Sequence, residues 1–62
     1  MNNNPTTDVT KHRISVANEL EVLAKGDSLQ ALLNHSANDL RTNPTLENML
    51  HVQELINLIQ SK

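Results

Sequence analysis

The sequence predicts an all-α protein, a small three-helix bundle of up-down-up connectivity. Large apolar residues recur at intervals of three, four and seven, the spacing of one helix face. Nothing competes for a strand: no alternating β-branched run exists, and Phe, Tyr and Trp are absent. Two breaks, Gly26-Asp27 and Thr42-Asn43-Pro44, cut the periodic chain into three segments. Their shortness favours antiparallel neighbours. The alternative architecture keeps helices two and three as a helical hairpin and swings helix one out into a dimeric bundle.

Residues 1–7 hold three Asn, Pro5 and two Thr, offer nothing to bury, and read as a flexible, disordered tail. A single helical domain then occupies 8–62. Helix one is expected over 8–25. Val9, Val16, Leu20 and Leu23 lie on one face, Ala17 and Ala24 widen it, and Ile14 and Val22 fall off it. Thr7 or Asp8 can cap its start, Glu21 and Lys25 form an i,i+4 pair, and Gly26 supplies the stop.

Helix two is expected over 28–41, with Asp27-Ser28-Leu29-Gln30 as a capping box. Leu29, Leu32, Leu33 and Leu40 share its apolar face with Ser36. Helix three is expected over 44–61, with Asn43 as N-cap and Pro44 in the first turn.

A chain of 62 residues has room for one domain. At this size a chain buries only about 60% of its unfolded surface and gains from disulfides, a metal, oligomerisation or good helix packing. There is no cysteine, hence no disulfide, thiolate metal site or thiol nucleophile. Ten Leu, three Ile and four Val must supply most of the core.

Seven acids and five bases give a formal net charge of −2, spread evenly over both halves. No basic stripe of the kind phosphate backbones select is present. No apolar run approaches the roughly eighteen residues of a membrane span, and the polar start carries no signal-peptide pattern. The expectation is a cytoplasmic protein with no membrane or small-molecule partner.

Candidates for chemistry are sparse. Glu47, His51 and Glu54 share one helix face at i, i+4, i+7, but no second histidine stands three or four residues away, so they read as a solvated charged face. His35 and Asp39 form a similar i,i+4 pair, and Lys11, His12 and Arg13 point different ways around helix one. Ser15, Ser28, Ser36 and Ser61 lack a nucleophile elbow, and one glycine cannot build a phosphate loop. The chain is expected to be no enzyme, with no catalytic residue, metal or cofactor.

Helix three is unusually wide in its apolar face. Projected at about 100° per residue, Leu46, Met49, Leu50, Val52, Leu55, Ile56, Leu58 and Ile59 span around half the circumference, where a surface helix usually shows little over 100°. Two narrow neighbours cover one stripe of it and leave flanks bare, an exposure monomers seldom tolerate. These eight residues are the expected partner-binding set. The function they suggest is a small regulatory interaction module that masks or assembles a partner protein, or pairs with itself as a homodimer. The alternative is a helix-turn-helix DNA-binding regulator using helices two and three. Its recognition helix would offer Asn48 but no Arg or Lys before Lys62, with Glu47 and Leu50 facing phosphate, so nucleic acid is the weaker expectation.

Overall fold

A computed structural model of the chain describes residues 5–62, with side chains from Val9 onward. These residues form three helices: α1, Pro5–Ala24; α2, Gln30–Thr42; and α3, Leu46–Gln60. Of the tail expected over 1–7, residues 5–7 are the first helical turn of α1, and residues 1–4 lie outside the described residues. Proline suits that first position, because its fixed φ is already helical and its missing N–H would go unpaired there anyway.

The helix ends differ from the sequence reading for local reasons. Gly26 adopts φ +80° with open space where a Cβ would stand, so it ends α1 in the left-handed conformation glycine allows. Asp27 does not cap α2 directly. Its Oδ1 accepts from the Leu29 N–H at 2.8 Å and its carbonyl accepts from the Gln30 N–H at 3.0 Å, forming a turn before the helix. The helix therefore starts at Gln30, two residues late, and its N-cap position, Leu29, has no side-chain cap.

Asn43 caps the wrong end for the expected α3 start, since it is the C-cap of α2, donating its N–H to the Asp39 carbonyl at 2.8 Å. Thr45 is the N-cap of α3, accepting from the Asn48 N–H at 3.1 Å, and Pro44 lies in the connection.

Three polar ties set direction and register. Arg13 Nη1 donates to the Pro44 carbonyl at 2.7 Å, joining α1 to the α2–α3 connection. The Arg41 guanidinium grips both carboxylate oxygens of Glu21 and also reaches the side-chain oxygens of Asn18 and Asn38. Lys62 Nζ meets Asp27 Oδ2 at 2.7 Å. Residue 13 thus neighbours 44 and residue 27 neighbours 62, so α3 runs parallel to α1 while α2 returns between those levels. Glu21 takes Arg41 rather than Lys25 because the planar guanidinium matches a carboxylate with two parallel bonds.

The core is Ala17, Leu20 and Ala24 from α1, Leu33, Ala37 and Leu40 from α2, and Val52 and Ile56 from α3. Three of these are alanines, and Ser36 is buried beside them. Small residues let helix axes approach closely. Helix α1 is the common wall, packed against both others, whereas α2 and α3 touch each other least. Helix one is therefore folded into the bundle and not swung out.

Candidate docking surface

The eight residues of the expected α3 interface divide into three groups. Val52 and Ile56 are not available to a partner, because they sit inside the bundle at 0% and 5% exposure. Met49, Leu55 and Ile59 are half-buried against that core. Leu46, Leu50 and Leu58 are exposed. A projection of the helix shows why: the middle of the apolar arc faces α1, and only its two flanks remain outside. Leu46 and Leu50 lie on one flank near the start of α3, and Leu58 on the other near its end.

The second flank does not stand alone. Leu29 and Leu32 of α2, expected in the core, are 53% and 58% exposed. Both α2 and α3 pack more closely against α1 than against each other, and these leucines are left uncovered. Between the first turn of α2 and the last of α3 lies a groove of about 380 Å³, with Leu29, Leu33, Leu55, Leu58 and Ile59 in its walls. Leu32 follows Leu29 by three and so shares its side of α2.

One end of the groove is closed by Asp27 and Lys62. The Lys62 ammonium, followed by the Leu29 N–H, holds the Asp27 carboxyl below its ordinary value, so it stays ionised while paired. This end therefore carries one acid and one base in contact, and the walls beyond it are aliphatic.

The other candidates are placed as follows. Glu47, His51 and Glu54 are all exposed, and among the described residues no group of three or more His, Asp or Glu side chains is placed to hold a metal. His35 Nε2 lies 3.6 Å from Asp39 Oδ2 on open surface. Lys11 and His12 are exposed, but Arg13 is half-buried and serves structure through its bond to Pro44. Asn48, the residue a recognition helix would offer to adenine, donates its side-chain N–H to the Asn43 carbonyl at 2.8 Å. A second cavity of about 360 Å³ lies between α1 and α3 and is bordered by Glu19, Gln53, Asn57 and Gln60. No described helix is long and apolar enough to cross a membrane.

Sequence reasoning missed Leu29 and Leu32 as surface residues. Their spacing matches a core face, but α2 packs too little against α3 to cover them. Compared with protein-family models, curated proteins and solved structures, the chain matches none of them.

Proposed function

We propose that the chain is a small cytoplasmic interaction module, without catalytic activity, that masks or assembles a protein partner through the groove between α2 and α3. One observation carries the reading: Leu29 and Leu58, each more than half exposed, line a concave surface together with Leu33, Leu55 and Ile59, and the equally exposed Leu32 lies one turn beyond Leu29. A patch of this kind on so small a chain is costly to leave in water, and aliphatic side chains around a groove suit the apolar face of a helix. The role first assigned to the whole width of α3 thus falls to one of its flanks and to the facing side of α2.

The test uses anilinonaphthalene sulfonate as the probe, at low-micromolar protein. The folded wild type is expected to bind the dye saturably, and Leu58→Asp, a change at an exposed position, to abolish binding with helicity unchanged. A folded wild type that leaves the dye dark would overturn the reading.

A further inference from the structure

The groove has a charge pattern that matches a second copy of itself. Glu54 and Leu58 stand one turn, about 6 Å, apart on one row of α3, and both are exposed. Lys62 follows Leu58 by the same number of residues on its other side, at the closed end of the groove. The order along this edge is acid, leucine, base. Reversed, it reads base, leucine, acid, so two such edges laid antiparallel are complementary at both ends. A two-fold axis at the level of Leu58 would do this. It sets each Lys62 between its own Asp27 and Glu54 of the other copy, and brings the two leucine clusters together. The remaining acids of α2 and α3 lie further along: Asp39 is seven residues beyond Leu32 and Glu47 seven before Glu54, each about two turns, roughly 10 Å, from its neighbour in the contact.

We infer that the occupant of the groove is a second copy of this chain, held as an antiparallel two-fold dimer through Leu29, Leu32 and Leu58 with Glu54 and Lys62 at its ends. The inference rests on the docking reading above. Size sets its strength. Two helices, each about 10 Å across, overlapping for about 12–15 Å give about 300 Å² of projected face per copy, about 600 Å² in total, well below the roughly 1,200 Å² at which stable complexes begin. The dimer is accordingly populated at high-micromolar concentration and above, and the groove is open in dilute solution. Self-association is then a concentration-dependent cover over the same leucines that a helix of another protein would use.

Sedimentation equilibrium from 20 µM to 1 mM tests it, with circular dichroism on every variant. The wild type is expected to shift from monomer to dimer over that range, and Leu58→Asp to stay monomeric while folded. Glu54→Lys and Lys62→Glu should each weaken association several-fold, because each sets like charges opposite one another at both ends. An equimolar mixture of those two variants should associate better than either alone, since the heterodimer restores both opposite-charge pairs. A wild type monomeric at 1 mM, a Leu58→Asp chain that still dimerises, or a mixture that gains nothing would overturn the inference. In any of those cases the dye result decides separately whether the groove remains a docking site for a different protein.

Discussion

Replacing Ile56 with alanine separates a core role from an interface role at the residue where sequence and structure disagree most. Ile56 is 5% exposed and packed among Ala17, Leu20, Leu33 and Val52 of the common core. Full burial of such a side chain is worth about 1.5–3 kcal/mol in transfer alone. Adding the cavity left behind, isoleucine-to-alanine changes in cores cost about 2–5 kcal/mol. At about 0.05–0.15 kcal/mol per residue, a chain of this length has a total stability of about 3–9 kcal/mol. The substitution should therefore remove about a fifth of that stability or more. At about 4–8 °C per kcal/mol for a domain this small, the melting temperature should fall by about 10 °C or more. The assay is thermal and urea melting followed by circular dichroism at low-micromolar protein, where association contributes nothing. Leu46→Ala is the control, because Leu46 is 53% exposed and should lose about 1 kcal/mol or less. An Ile56→Ala chain within about 1 kcal/mol of wild type, or a Leu46→Ala chain equally destabilised, would refute the assignment of Ile56 to the interior.

Two further predictions concern the polar ties. Thr45→Ala removes the side-chain acceptor of the Asn48 N–H and should cost about 1 kcal/mol in a urea melt. Asn43→Ala should cost less, since the bonds at that position use its backbone; an equal loss would return the cap to Asn43. Hydrogen bonding to Arg41 holds the Glu21 carboxyl below its ordinary 4.5. Its contribution is thus complete above pH 4.5 and is lost as pH falls through the lower, folded-state value. The melting temperature should decline on acidification below that point, and Glu21→Gln should start lower at neutral pH and decline less. The ion pair is partly exposed, so the difference is expected to be modest. Identical profiles for the two proteins would remove the pair from the account of acid stability.

The three helices were legible in the sequence because each carries enough periodic aliphatic residues to announce its own face. The capping details were not. Asn43 and Thr45 are both competent caps, and the choice depends on Asn43 already closing α2. The width of the α3 stripe was also plain, but projection alone does not say which part faces α1. That rotation put Val52 and Ile56 inside and left Leu58 outside. Leu29 and Leu32 escaped notice because their exposure depends on how little α2 packs against α3, which no local spacing encodes. The same holds for Arg41 and Glu21, twenty residues apart in the chain. Arg13 was set aside within a scattered basic cluster, yet it anchors the connection at Pro44.

Ala17, Ala24 and Ala37 have no water contact and lie away from the groove walls, yet they control its geometry. Each acts as a spacer that fixes how deeply α2 and α3 settle onto α1, and therefore how far those two helices splay. A larger side chain at any of them would push one helix outward and reshape the leucine cleft from behind. The dimensions of the cleft are thus set by methyl groups on the hidden side of its supports, at positions that nothing entering the cleft would touch.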